Sequence, residues 1–147
     1  MTRSNINIPV SDFVSTLKRT IFSKWQALWN EEHDNKLKQI KPTICIWNSS
    51  FQKDRRIEVV LSRLRIGHTL LTHGYLMKSP HDPIPECPQC KTRVTVKHIF
   101  NDCPIFERQR RLSIGNKSLK EVLSESSTFS VYTIIKFLKN CNLLDKI

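Results

Sequence analysis

Three of the five cysteines and one of the five histidines crowd into a single stretch, ECPQCKTRVTVKHIFNDCPIF, residues 86–106. The spacing is C-x2-C-x7-H-x4-C, formed by Cys87, Cys90, His98 and Cys103. Three thiolates and one imidazole are a usual donor set for a tetrahedral structural zinc. Pro88 pre-sets the C-x2-C turn, and KTRVTVK is long enough to run out and return to His98. His98 and Cys103 stand five residues apart, which on an unbroken helix separates them by about 140°. Pro104 eases this, because it disfavours helical geometry at Cys103 and can itself start a helix. The expectation is a short turn carrying His98, a break at Cys103 and a helix from Pro104 onward. With four protein donors the site is closed and has no place for a catalytic water. Three buried free thiols and a surface histidine are the alternative, but clustering at ligand spacing favours metal. His81, six residues before Cys87, is a weaker ligand candidate.

The rest of the chain sets what can hold such a staple. At 147 residues it is about the size of one domain. Only three glycines argue against a loop-rich or β-sandwich design. No apolar run approaches the roughly 20 residues that cross a bilayer, and MTRSNINIPVSDF lacks the apolar core of a secretory signal. The expected location is the nucleus or cytoplasm, where thiols stay reduced and clustered cysteines mean metal before disulfides. Lys and Arg number 24 against 13 Asp and Glu, a formal charge of +11. That excess favours an anionic partner, of which nucleic acid is the commonest. The charge sits mid-chain, around and before the cysteines.

Helical periodicity dominates. Ser11 suits an N-cap, with Asp12 favourable in the first turn. Val14, Leu17, Ile21, Trp25 and Leu28 then share one face, widened by Phe13, Phe22 and Trp29. This face is expected to pack in the core and the helix to end near NEEHDN. KLKQIKPTICIW, with Pro42, reads as a short extended segment or loop. In KDRRIEVVLSRLRIGH, Ile57, Val60, Leu61 and Leu64 share an apolar arc, and Arg55, Arg56, Arg63 and Arg65 are assigned to the opposite one. Gly67 suits the stop. Thr69 can cap a short helix over LLTHGYLMK, and SPHDPIPE reads as a stiff loop. After the cysteines, IFERQRRLSI looks helical and Ser118–Glu121 has capping-box form. Val131, Ile134, Ile135 and Leu138 mark a last helix. His68 and His73 are read as capping or core hydrogen-bonding groups, and Cys45 and Cys141 as small core residues. The fold class is therefore mainly α: a helical N-terminal part over 1–80, a Cys3His knuckle as a compact non-helical insert over 81–106, and C-terminal helices over 107–147, together one unit.

Two phrases together suggest a family. RRIEVVLSRLRIGHTLLTHGYLM followed by CPQCKTRVTVKHIFNDCPIFERQR resembles the tail of the polyprotein of non-LTR retrotransposons of the jockey and I-element type. The spacing also resembles the zinc-binding module that follows plant LINE reverse transcriptases. The stretches IPVSDF…WQALWN and VYTIIKFLKNCNLL look like the same tail, so the likeness spans nearly the whole chain. The resemblance implies a segment lying downstream of a reverse transcriptase and, where present, a ribonuclease H domain. It could be a truncated copy, a piece of a larger element or a host protein derived from one. The parent's catalysis does not transfer. No Y-x-D-D stands here to hold two Mg²⁺ ions, and no four-carboxylate set can be assembled for a ribonuclease H. The expectation is a non-catalytic domain that binds Zn²⁺ through Cys87, Cys90, His98 and Cys103. RNA or DNA would be held by phosphate contacts from Arg55, Arg56, Arg63, Arg65, Lys91, Arg93 and Lys97. The other expectation is an interaction platform that docks on the polymerase or ribonuclease H domain, and its mark would be an exposed apolar patch.

Overall fold

A computed structural model describes residues 9–78, 82–124 and 128–147 of the chain. His81, the weaker ligand candidate, and part of the proline-rich loop before Cys87 lie outside them. Among the described residues eight α-helices follow one another: α1 Val10–Glu31, α2 Lys36–Ile40, α3 Arg55–Ile66, α4 Leu70–His73, α5 Tyr75–Lys78, α6 Glu107–Ser113, α7 Leu119–Leu123 and α8 Thr128–Asn140. Among the described residues no strand forms, and the only β pairing is an isolated antiparallel bridge between Glu86 and Arg93. The fold is mainly α, as the periodicity implies.

The centre is built by α3 and α8. Leu61, Leu64, Ile134, Phe137 and Leu138 are almost wholly buried there, and α7 adds Val122 and Leu123. Asp54 caps α3 by accepting from the Arg56 amide at 2.8 Å. Gly67 closes it at φ 79°, a left-handed conformation that puts the His68 amide on the Arg63 carbonyl at 3.0 Å. Ser118 and Glu121 form the expected capping box at the start of α7. Thr69 caps α4 through Thr72, and the expected LLTHGYLMK helix is two short helices separated at Gly74.

Three expectations are corrected. The segment read as extended or loop holds α2, because Asn35 accepts from the Leu37 amide at 2.9 Å and so starts a helix. Pro42 acts only on Lys41, which leaves helical geometry at φ −125°, ψ 78°. Ser11 is not the cap of α1. Pro9 is, and its carbonyl takes the Asp12 and Phe13 amides at 3.0 and 3.2 Å. Cys45 is exposed rather than a core residue, whereas Cys141 packs against the core as expected.

The largest departure is α1 itself. None of its residues is buried, and its apolar face stands in solvent: Phe13, Ile21, Trp25 and Leu28 are all more than half exposed. Periodicity reports that a helix is amphipathic and is silent on what covers it. Among the described residues, hydrogen bonds tie only the C-terminal end of the helix to the segment that follows. The Trp29 indole N–H donates to the Lys41 carbonyl at 2.8 Å. The Gln26 amide donates to the Pro42 carbonyl at 3.0 Å and accepts from the Ile44 N–H at 2.9 Å.

Candidate metal centre

The window between α5 and α6 folds back on itself twice. In the first turn the Cys87 carbonyl accepts from the Lys91 amide at 2.9 Å, and the Cys87 amide donates to the Thr92 carbonyl at 2.8 Å. Lys91 takes φ 55°, a left-handed position unusual for a residue with a side chain. That residue reverses the chain directly after Cys90, and Val94 then returns beside Pro85, amide to carbonyl at 2.9 Å. Both cysteines of the C-x2-C pair thus face inward from one tight loop.

The second turn brings back His98 and Cys103. Thr95 Oγ1 accepts from the His98 amide at 3.0 Å and starts a π-helical turn over His98–Asp102. Its wider pitch, with hydrogen bonds from residue i to i+5, resolves the register problem of residues five apart. The Cys103 amide donates to the His98 carbonyl at 2.8 Å. Cys103 then leaves helical geometry at φ −70°, ψ 122°, and Pro104 opens a 3-10 turn that runs into α6. The expected turn, break and restart are all present. The window is not wholly non-helical, because the π turn sits inside it.

The donor atoms of Cys87, Cys90, His98 and Cys103 lie within 4.8 Å of one another, so the four can hold a metal ion. Cys87 and Cys103 sulfurs are 3.7 Å apart, far beyond a disulfide bond of roughly 2.05 Å. Cys87, His98 and Cys103 are buried and Cys90 is half-buried. His98 Nε2 is buried with no hydrogen-bond partner among the described residues, a costly state for an imidazole unless an ion takes its lone pair. The Cys90 amide, then the His98 side chain, pull the Cys87 thiol down to about 6. Burial, then the Cys87 sulfur, push Cys90 up to about 11. Among thiols this close, one ionises first and opposes the next; a bound cation removes that opposition.

The centre is welded to the core. Val96, Ile99 and Phe100 are buried between the ligands, and the Phe100 ring meets Phe137 of α8 at 4.9 Å between centroids. Arg110 of α6 donates from one nitrogen to the carbonyls of Cys103 at 2.6 Å and Ile99 at 3.1 Å. Sequence reasoning missed Arg110; its only signal is a position seven residues after Cys103, two turns along the helix that the break launches.

The basic residues divide. Lys91, Arg93 and Lys97 are exposed around the knuckle, and Arg93 donates to the Tyr75 hydroxyl at 3.2 Å. On α3, Arg55 is exposed and pairs with Glu58 at 2.8 Å, and Arg56 pairs with Asp145. Arg63 is half-buried and donates to the Ile147 carbonyl at 2.8 Å. Arg65 does not belong to a solvent-facing arc. It is 4% exposed, lies 3.9 Å from the Trp47 ring centre, and donates to Ser49 Oγ at 2.7 Å, Ser50 Oγ at 3.0 Å and the Leu123 carbonyl at 3.2 Å. At 100° per residue it sits only about 40° from Leu61, on the buried arc rather than the expected opposite one. His68 and His73 stack at 4.0 Å; His73 Nδ1 shares a 2.8 Å hydrogen bond with Thr72 Oγ1, the kind of role expected of it, whereas His68 is exposed rather than a core group. Among the described residues no helix is long and apolar enough to cross a membrane. Comparison with protein-family models, with curated proteins and with solved structures finds no match to this chain.

Proposed function

We propose that this chain is a zinc-stapled, non-catalytic helical domain that binds RNA or DNA through phosphate contacts, as the tail of a retrotransposon reverse transcriptase polyprotein would. Zinc is the ion the donor set suits best. Thiolates about 2.3 Å from a tetrahedral Zn²⁺ stand roughly 3.8 Å apart, and the Cys87 and Cys103 sulfurs are 3.7 Å apart. Four protein donors leave no open position, so the ion's work is structural. Three thiolates and a neutral imidazole around Zn²⁺ leave one net negative charge, offset by the cations nearby.

The observation that carries the nucleic-acid reading is the sidedness of the knuckle: its ligands point inward, while Lys91, Arg93 and Lys97 are all exposed. Together with a net charge of +11, that makes a surface suited to a polyanion in the nucleus or cytoplasm. Phosphate contact releases counterions, so log K for a short oligonucleotide should fall linearly with log salt, by about 0.7 per phosphate neutralised on a single strand. Anisotropy titrations across salt check this. Affinity that stays flat between low and physiological salt sinks the reading.

A second reading has its own support in α1. An exposed apolar stripe along 22 residues is the mark of a docking surface, and the occupant we propose is the polymerase or ribonuclease H domain of the parent polyprotein. Replacing Leu17 and Ile21 by glutamate should leave folding and metal content unchanged, because neither side chain is in the core. It should abolish co-purification with that domain. A double variant that retains the partner rules this docking face out.

A further inference from the structure

Between α2, the C-terminal end of α3, the knuckle and α7 runs a groove of about 540 Å³, within the range of ligand-binding clefts. Its rim carries Lys36, Arg93, Lys97 and Lys120, brought from three separate parts of the chain, and among the described residues no carboxylate lines it. Lys36, Lys97 and Lys120 form no ion pair among the described residues. The floor is mainly apolar, with Ile40 and Val96 buried and Leu119 half-buried, and the buried Arg65 also lines it. At one side His73 enters the groove as the middle ring of a near-parallel run. His68 stacks on it at 4.0 Å and 30°, and Tyr75 follows at 6.4 Å and 23°. Tyr75 is held by Arg93.

Cations alone would suit any polyanion, duplex included. An apolar floor and a run of rings suit something else: the flat faces of bases that are not paired to a partner. A duplex hides those faces and offers only its phosphates to a surface of this kind. We infer that the groove is a single-strand site, in which the rim lysines hold successive phosphates while an unpaired base lies over the floor beside His73. This inference rests on the nucleic-acid reading above and narrows it to one strand class and one site. The state of His73 agrees with it. Burial, followed by the positive charges of His68, Arg93 and Lys36, holds His73 below its usual range. An uncharged ring, already stacked on His68, then borders the groove as a flat wall.

The test uses the zinc-loaded chain with labelled oligonucleotides of one length: single-stranded DNA, single-stranded RNA and a blunt duplex. Single strands should bind at least tenfold more tightly than the duplex at equal salt; the DNA and RNA arms show which backbone is preferred. Lys97→Glu with Lys120→Glu should lose at least tenfold for single strands. Lys18→Glu with Lys24→Glu, an equal charge change on exposed α1, should lose no more than about threefold. Lys36→Glu, which is far in sequence from the ligands, repeats the test should the first pair disturb zinc. Duplex binding as tight as single-strand binding, or equal losses in the groove and α1 variants, overturns the groove and leaves general phosphate binding standing. Absence of binding to every oligonucleotide overturns both.

Discussion

Cys103→Ser should purify with clearly less than one equivalent of zinc and show no cooperative thermal transition, whereas the parent chain should hold one equivalent and unfold in a single step. Cys103 is wholly buried, and a serine hydroxyl is a poor zinc ligand beside two thiolates. Structural zinc contributes about 10–16 kcal/mol of apparent binding free energy in finger peptides, and in such sites that is folding free energy. A domain's whole stability is about 5–15 kcal/mol, so losing even half of the metal's contribution is decisive. The loss spreads because the knuckle is not a detachable appendage. Val96, Ile99 and Phe100 share one core with α3, α7 and α8, and without the ion the turns that present them have little to close on. A strong chelator should produce the same collapse. Zinc stoichiometry by elemental mass spectrometry and a melt followed by circular dichroism check both. A chelated chain with an unchanged melt removes the foundation of this account.

Loading of the proposed zinc site should also depend on pH, with a definite sign. The metal binds thiolates, so it competes with protons and holds less well as pH falls. Cys87, at about 6, is already ionised at neutral pH, whereas Cys90, at about 11, must give up its proton to the ion. Loading at pH 7 therefore releases protons into a weak buffer. Below about pH 6 protons contest Cys87 as well, and the affinity drops more steeply.

What was legible in the sequence divides along a physical line. The ligands could be read because coordination chemistry fixes residue types and short spacings, and because Pro104 announces the break at Cys103. The caps at Thr69 and Ser118 could be read for the same reason: the hydrogen bond spans three residues. Features that depend on which surfaces meet could not. Nothing local distinguishes an apolar stripe that will be buried, as on α3, from one that stays exposed, as on α1. The groove is less legible still. Lys36, Lys97 and Lys120 come together only because α2 and α7 both pack beside the knuckle, and each alone is an ordinary surface lysine. Arg65 departs from its expected place for a simpler reason. A charge suggests solvent, yet four residues along a helix from a core leucine is close to the same face.

Arg65→Ala should cost about 3 kcal/mol, lowering the melting temperature by roughly 10 °C in a chain of this size. The guanidinium satisfies three acceptors on two elements, Ser49 and Ser50 on one side and the Leu123 carbonyl of α7 on the other, with Trp47 against its face. Truncation leaves the buried Ser49 hydroxyl and Leu123 carbonyl without this donor and opens a void beneath the indole. Arg65→Lys should recover only part of the loss, because an ammonium on a single stem cannot reproduce a planar fork or the flat contact with Trp47. Arg55→Ala, by contrast, removes a side chain that is 84% exposed and an ion pair screened by water. It should move stability by no more than about 0.5 kcal/mol. The two arginines stand at opposite ends of one helix, so denaturant titration of the three variants separates a charge that builds the fold from one left free to meet a partner. Equal, small effects for Arg65→Ala and Arg55→Ala would return Arg65 to the surface and undo the bridge between α3 and α7.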